Sequence, residues 1–191
     1  MNRILSSAVK VAGSLALIGG AVVAAAMPAG AAPPTRAWGV SAGGFIHINP
    51  VAEATFFNTP QVASNFIYPG FVTTGGILDR ASATEAYSNV GSPKVYLFSQ
   101  VDQLNAANAM STCRIGFFGT FGDTTIQAGS IWVTGLANIP LPRNPGINQQ
   151  IFLPGITVTL NKQGVIAGIR TVTAIYLSGF GQNLSIGVSR C

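Results

Sequence analysis

Short runs of apolar, β-branched and aromatic residues, each cut by Gly, Pro or Asn, make up the sequence from Trp38 to its end. Turn signals separate the runs at Asn49-Pro50, Pro69-Gly70, Gly75-Gly76, Pro145-Gly146 and Pro154-Gly155. Many short strands between frequent turns are typical of antiparallel sandwiches and small barrels. We therefore predict an all-β fold, an antiparallel β-sandwich with a small β-barrel as the alternative, and at most one short helix.

Twelve segments are candidate strands. They cover residues 38–40, 45–48, 54–57, 65–68, 95–98, 115–118, 125–127, 131–134, 150–153, 156–160, 171–177 and 184–189. Apolar and polar residues alternate in 156–160 and in 184–189, as expected of strands with one buried face. Segment 171–177 is apolar on both faces, which predicts a central strand.

Helical patterns are sparse in this sequence. Residues 99–111 are the best candidate, because Val101, Leu104 and Met110 recur roughly at helical spacing, although strand and turn fit them equally. Residues 81–87 are a weaker candidate.

The first residues have the pattern of an export signal. Arg3 and Lys10 precede the apolar stretch 11–26, and the small residues Ala29 and Ala31 follow Pro28. We predict a signal peptide at 1–31, a flexible lead-in at 32–37 and one extracellular domain at 38–191, with no transmembrane segment in the mature chain. An uncleaved membrane anchor is disfavoured, because the stretch is short and interrupted by glycine.

Charge is scarce and dispersed. Residues 32–191 carry eight basic and five acidic side chains, a net charge of +3, and the basic residues do not cluster. This pattern gives no electrostatic footprint for nucleic acid. Edge strands with few charges are poorly protected against pairing with other strands. Self-association or association with cell-envelope components is therefore as compatible with the sequence as a secreted monomer.

Cys113 and Cys191 are the only cysteines, 78 positions apart. In an exported chain we expect them to form a disulfide, because the environment is oxidising. A reactive or intermolecular thiol is the alternative, but neither cysteine lies in a Cys-x-x-Cys motif or beside a histidine. Two cysteines and one histidine give no zinc-binding pattern, so we predict no metal and no cofactor.

Acid–base chemistry has few candidates. His47 alternates with apolar neighbours, no Gly-x-Ser-x-Gly motif is present, and no spacing pairs two of the five carboxylates. We therefore predict no catalytic residues. The segment GFFGTFG at 116–122 has no phosphate-loop lysine and indicates bulged or closely packed sheet. Among the aromatic residues, Trp38 and Trp132 are the candidates for a binding surface, although packing is the commoner role.

The order of motifs in the second half resembles that of a known family. Asn148, Ile151 and Leu153-Pro154-Gly155 precede Val158-x-Leu160-Asn161-x-Gln163, then Thr171-Val172-x-Ala174 and the closing Cys191. This order resembles the choice-of-anchor P family of exported actinobacterial proteins, over about residues 77–191. The resemblance implies an extracellular, cell-surface β domain of unassigned function, and it supplies no catalytic residues.

Members of that family are often followed by an anchor, whereas this sequence ends at Cys191 without a sorting motif. We therefore expect release into the medium or non-covalent retention at the cell surface. The expected function is that of a secreted, non-enzymatic β domain that acts by self-association or binding. Two alternatives stay open: a cell-wall carbohydrate-binding module that uses the aromatics, and a small secreted hydrolase that uses His47 with a Ser or Asp.

Overall fold

Three antiparallel sheets form the part of the protein that the computed structural model describes, residues 35–191. Sheet A contains, in spatial order, β15 (Gln149–Leu153), β16 (Ile156–Ile166), β17 (Ile169–Gly179), β18 (Gln182–Arg190), β1 (Arg36–Gly43) and β2 (Ile48–Val51), with β3 (Ala54–Thr55) also paired to β1. Sheet B contains β12 (Gly119–Gln127), β11 (Asn108–Gly116), β8 (Glu85–Gly91), β7 (Ile77–Ala81) and β4 (Gln61–Ala63). Sheet C contains β14 (Ile139–Pro140), β13 (Ser130–Trp132), β10 (Gln103–Asn105), β9 (Lys94–Tyr96), β6 (Val72–Thr74) and β5 (Phe66–Tyr68).

Sheets B and C are two halves of one bent layer. The chain passes from one sheet directly into the other between β4 and β5, β6 and β7, β8 and β9, β10 and β11, and β12 and β13. Backbone hydrogen bonds continue across the bend, since Gly75 N donates to Gly91 O at 2.7 Å and Ser92 N donates to Ala107 O at 2.7 Å. Sheet A forms the other layer, and the core lies between the two layers.

Sheet A changes direction along one transverse line. The pairing ladders skip Asn161, Ala174, Gly187 and Gly39, which are successive neighbours across four strands. Asn161 has φ 48° and Gly187 has φ 63°, so the backbone leaves the extended conformation at this line. The kink interrupts the alternation of inward and outward residues, and four consecutive residues of β17, 172–175, are buried. The predicted central position of this strand is confirmed, because β17 lies between β16 and β18.

The core of the described residues is aliphatic. Ile, Leu, Val and Ala from all three sheets fill it, and no Phe, Tyr or Trp of residues 35–191 is buried. Nine of the eleven phenylalanines are exposed instead. Aromatic side chains usually dominate cores. In this protein they lie at the surface instead, where groups of exposed phenylalanines are candidates for binding surfaces.

The predicted disulfide is formed. Cys113 of β11 bonds to Cys191, which follows β18, and their Cα atoms lie 5.6 Å apart. The bond joins sheet B to sheet A within a small second cluster that contains Ala37, Ala86 and Val172. It therefore fastens the residue after β18 to sheet B and joins the two layers at one end of the sandwich.

The predicted β-sandwich is confirmed. The alternative, a small β-barrel, is not formed by residues 35–191, because each of their sheets has two edge strands. Most of the candidate strands overlap observed strands. The structured domain begins earlier than expected, because β1 starts at Arg36 and Thr35 is buried with its hydroxyl bonded to Ser82 O. The predicted signal peptide at 1–31 lies outside the described residues.

Two groups of predictions are wrong. Residues 45–47 are a loop, because the chain turns at Gly44, where φ is 116° and a Cβ would lie 2.2 Å from Gly181 O. Neither helix candidate is helical. In 99–111 the buried residues Leu104 and Ala106 alternate at strand spacing, and in 81–87 the Ser82 hydroxyl accepts from Glu85 N at 3.0 Å to close a turn. Residues 35–191 contain no helix that could span a membrane.

Candidate functional site

An apolar cavity of about 310 Å³ opens at the end of the sandwich where β17 turns into β18. We call this cavity the mouth. Its walls come from both layers, with Leu177 and Leu184 from sheet A facing Tyr96 and Leu97 at the end of β9. Phe71, from the turn before β6, and Ile46, from the loop after β1, complete the wall. The layers thus diverge here and leave a cleft between them.

Phenylalanines form the rim of the mouth. Phe45 is 90% exposed, and its ring lies beside Gly181, where an added Cβ would be 3.1 Å from it. Phe180 lies over Gly155 and meets Phe98 edge to face, with ring centroids 6.4 Å apart. A Cβ at Gly155 would overlap the Phe180 ring, whereas a Cβ at Gly181 would need only a small shift of the Phe45 ring. Both glycines also have φ near 70°, a backbone conformation that favours glycine. The rim is therefore built by the fold, even though it contributes nothing to the core.

Gln182 holds the loop that carries Phe45. Its Oε1 accepts from Ile46 N at 2.8 Å, and its Nε2 donates to Ile46 O at 2.8 Å. One side chain thus satisfies both backbone groups of Ile46, as a neighbouring strand would. This bidentate contact fixes one wall of the mouth to the start of β18.

Asp102 holds the loop that carries Leu97 and Phe98. Its carboxylate accepts from Thr134 N at 2.6 Å and from the Ser99 hydroxyl at 2.7 Å, and its backbone carbonyl accepts from Leu97 N at 2.9 Å. The Thr134 amide, with the Ser99 and Thr134 hydroxyls, lowers the pKa of Asp102. A charged carboxylate thus orders the second wall without reaching the cavity.

The mouth has no charged lining residue among the part of the chain that the structure describes. Its polar side chains are those of Tyr96, Ser178, Gln182 and Asn183, and Gln182 is already engaged with Ile46. Ligand pockets usually combine apolar walls with a few polar groups, in volumes of about 300–1,000 Å³. The mouth has this character, and its chemistry selects apolar, uncharged groups.

A row of polar side chains lies buried between the layers. Asp79, Ser88, Ser111 and Thr124 are successive cross-strand neighbours on the inner face of sheet B, and each is at most 1% exposed. Burial raises the pKa of Asp79 to about 7, opposed by the nearby Ser88 hydroxyl and Gly39 amide. Neither completes a well-formed hydrogen bond to the carboxylate, and Ser88 donates to Trp38 O at 3.1 Å instead. This row separates the large core from the disulfide cluster.

Residues that carry the family resemblance form a polar network beside the disulfide. Asn148 Oδ1 accepts from Gln163 N at 2.8 Å, and Gln163 Nε2 donates to Asn161 Oδ1 at 2.8 Å and to Gly122 O at 3.0 Å. Arg170 donates to Gln163 Oε1 at 2.8 Å and to Thr120 Oγ1 at 3.2 Å. The network joins sheet A to the β11–β12 hairpin, so the motif has a structural role in this chain.

The two tryptophans do not form one platform. Trp38 is half-buried on the outer face of sheet A, where its Nε1 donates to Ser41 Oγ at 3.0 Å. Trp132 is 41% exposed on the outer face of sheet C, since its neighbour Ile131 points into the core. A continuous row of stacking aromatics that includes both residues is therefore not present.

His47 is exposed, and its Nε2 lies 3.1 Å from Asn49 Oδ1. The orienting partner is thus an amide rather than a carboxylate. Within residues 35–191 no group of three His, Cys, Asp or Glu side chains could hold a metal ion.

The mouth and its rim were not predicted from the sequence. A signal existed in the glycines that flank two rim residues, in Gly43-Gly44-Phe45 and Gly179-Phe180-Gly181. The segment 116–122 is partly as predicted: Gly122 is closely packed, with an added Cβ 2.3 Å from Val172, but residues 117–118 form a hairpin turn. Comparisons with family models, with curated proteins and with solved structures returned no match.

Proposed function

We propose that this chain is an exported, non-enzymatic β-sandwich domain that binds an apolar group, such as an acyl or alkyl chain, in the mouth. The observation that carries the proposal is the uncharged cavity of about 310 Å³ between the diverging layers. An engineered apolar cavity of about 150 Å³ takes up benzene or xenon. The mouth offers roughly twice that volume, together with an opening to solvent.

The rim supports the same function. Phe45 and Phe180 line the opening, and Phe98 packs edge to face on Phe180 beside it, so exposed rings continue the apolar wall of the mouth. A ligand that buries these rings gains the free energy of removing apolar surface from water, about 25 cal/mol per Å². Because Gln182 and Asp102 already fix the two loops, ordering the rim on binding costs little entropy.

The proposed location outside the cell rests on the signal-like residues 1–31 and on the Cys113–Cys191 disulfide, which suits an oxidising compartment. Membership of the choice-of-anchor P family stays a prediction. It agrees with this function but identifies no ligand.

A fluorescence titration with the neutral apolar probe N-phenyl-1-naphthylamine tests the proposal. We expect saturable binding at one site per chain, with displacement by n-decanol. Leu97→Gln and the double variant F45S/F180S should each weaken binding at least tenfold, because they make the wall or the rim polar.

The matched control is F117S/F118S, which removes two exposed phenylalanines from the opposite end of the sandwich. Its probe affinity should equal that of the wild type. Absence of saturable binding, or an equal loss in this control, would refute the proposed site.

A further inference from the structure

Two apolar hairpin turns project side by side from the end opposite the mouth. The β11–β12 turn exposes Phe117 and Phe118 at 96% and 89%, and the β16–β17 hairpin exposes Ile166 at 82%. The hydrogen bond from Arg170 to Thr120 joins the two hairpins just behind their turns. We call this region the tip end.

The fold does not need apolar side chains at these turns. Phe117 and Phe118 meet edge to face at 5.1 Å and are otherwise almost fully exposed. Close to the turns the space is open, since a Cβ at Gly119, Gly164 or Gly168 would meet nothing within 4 Å, and a Cβ at Gly116 would meet only the hairpin's own Phe121 ring and backbone. The turns therefore stand clear of the sandwich, where polar residues would suffice to close them.

Charge changes abruptly behind the turns. Segments 115–122 and 163–169 contain no charged residue, whereas the residues that flank them are Arg114, Asp123, Lys162 and Arg170, three basic and one acidic. Phe117 lies three positions after Arg114, about 10 Å along an extended strand. This distance matches the depth to which interfacial side chains enter a bilayer, about 5–10 Å into the headgroup boundary. Long arginine side chains at that level reach phosphate groups.

The wider charge distribution favours an anionic surface. The described residues carry eight basic and five acidic side chains, and two of the five carboxylates, Asp79 and Asp102, are buried. Arg36 and Arg190 also lie at this end, paired in register with each other, while Glu53 and Glu85 bridge to Arg36 and Arg114 through exposed contacts. The accessible surface is thus basic overall and is attracted to anionic headgroups.

A second copy of the chain fits the tip end less well. Stable protein interfaces bury about 800 Å² on each partner. Two narrow convex turns present only a few apolar side chains, so they cannot form such a flat, complementary surface. A deformable lipid phase accommodates convex projections without needing shape complementarity.

We propose that the tip end docks on an anionic lipid bilayer, with Phe117, Phe118 and Ile166 inserted at the interface and with Arg114 and Arg170 at the phosphates. The inference is independent of the mouth, because it uses none of the mouth's residues. The inserted side chains belong to turns, so the core and the disulfide are unaffected by docking.

Sedimentation of the exported protein with vesicles of phosphatidylcholine and phosphatidylglycerol at 3:1 tests this inference. We expect the wild type to sediment with the vesicles at low ionic strength and to be partly released by salt. F117S/F118S should lower the partition coefficient at least tenfold, and Arg114→Gln should lower it several-fold. The control F45S/F180S, which alters the mouth, should partition as the wild type does.

A depth measurement sharpens the test. Phe118→Trp should show blue-shifted emission with vesicles and quenching by brominated acyl chains, whereas the emission of the Phe45→Trp variant should not change. The proposal is overturned if the wild type stays in the supernatant, if both phenylalanine double variants lose binding equally, or if the indole introduced by Phe118→Trp stays unquenched. Dimerisation that depends on Phe117 and Phe118 in the absence of lipid would overturn it in favour of a second copy.

Discussion

The two ends of the sandwich expose phenylalanines in opposite settings. At the tip end the layers are held close together, since the disulfide joins them and Gly122 leaves no room for a side chain against Val172. At the mouth the layers part and leave a cavity of about 310 Å³. The comparison shows that the same residue type forms a concave, uncharged rim where the layers diverge and convex turns backed by arginine where they converge.

The largest expected effect concerns the fastening of the tip end. Replacing both cysteines by alanine should lower the free energy of unfolding by about 4 kcal/mol, because a loop of 78 residues is no longer closed in the unfolded state. Chemical denaturation of the wild type and of C113A/C191A measures this difference. Below the unfolding transition the probe affinity of the mouth should be unchanged. A parallel loss of probe binding in the folded state would show that the two ends are not independent.

The second effect concerns the buried polar row between the ends. The pKa of Asp79 is about 7 in the folded protein and near its ordinary value of 3.8 in the unfolded chain, so the folded state binds the proton more tightly. The contribution of Asp79 to the free energy of unfolding is therefore fully present below the pKa of the unfolded chain, 3.8, and is lost as the pH rises through about 7. The loss is on the order of 4 kcal/mol. The pKa of Asp102 is lowered in the folded protein, so the contribution of Asp102 to stability is lost as the pH falls into the acid range. The test is therefore confined to pH 4.5–8.

Thermal unfolding between pH 4.5 and 8 measures this dependence. Asp79→Asn should flatten the profile while it preserves the shape of the side chain. A wild-type stability that does not change across this range, or an equal slope in the variant, would contradict the account of the buried carboxyl group.

The third prediction compares Gln163 and Gln182, whose side chains both connect neighbouring segments of the chain. Gln163→Ala should cost about 1–3 kcal/mol of stability, because Gly122 O, Asn161 and Arg170 lose a hydrogen-bond partner. Gln182→Ala frees the loop at Ile46 and should weaken probe binding several-fold. Denaturation and probe titration of both variants form the comparison. Because Gln163 lies far from the mouth, Gln163→Ala should leave probe affinity unchanged, and a loss of affinity in this variant would contradict the separate roles of the two glutamines.

The smallest expected effect is the change in the free energy of unfolding when an exposed phenylalanine ring is removed. Phe45→Ser and Phe117→Ser should each change the free energy of unfolding by no more than about 0.5 kcal/mol, because both side chains are at least 90% exposed. Urea denaturation measures the change. A loss above about 2 kcal/mol in either variant would show that the ring packs on the fold rather than serving a surface.

The sandwich could be predicted because it depends on local patterns. The alternation in 156–160 and 184–189 and the two-faced segment 171–177 predict three strands, the last of them central, and these are observed as β16, β18 and β17, with β17 between the other two. Errors arose where a glycine or a turn interrupts a pattern. Leu104 and Met110 lie on either side of the bend at 106–107, so their combined spacing imitates a helix.

The mouth could not be predicted, because it depends on distant contacts. Phe45 and Phe180 are 135 positions apart in the sequence, and only the closing of the sandwich brings them to one rim. The exposure of Phe117 and Phe118 could not be predicted either, because the Gly-Phe pattern of 116–122 is compatible with packed sheet. Burial of Asp79 follows from its strand register, which a single acidic residue in the sequence does not reveal.

The most direct test of the central claim is a ¹H–¹⁵N correlation NMR titration of the protein with n-decanol. The account predicts saturable shift changes at residues 45–46, 71, 95–97 and 177–184, with residues 114–121 and 164–170 unmoved. Shift changes centred on the hairpin turns, or spread evenly over the surface without saturation, would contradict it.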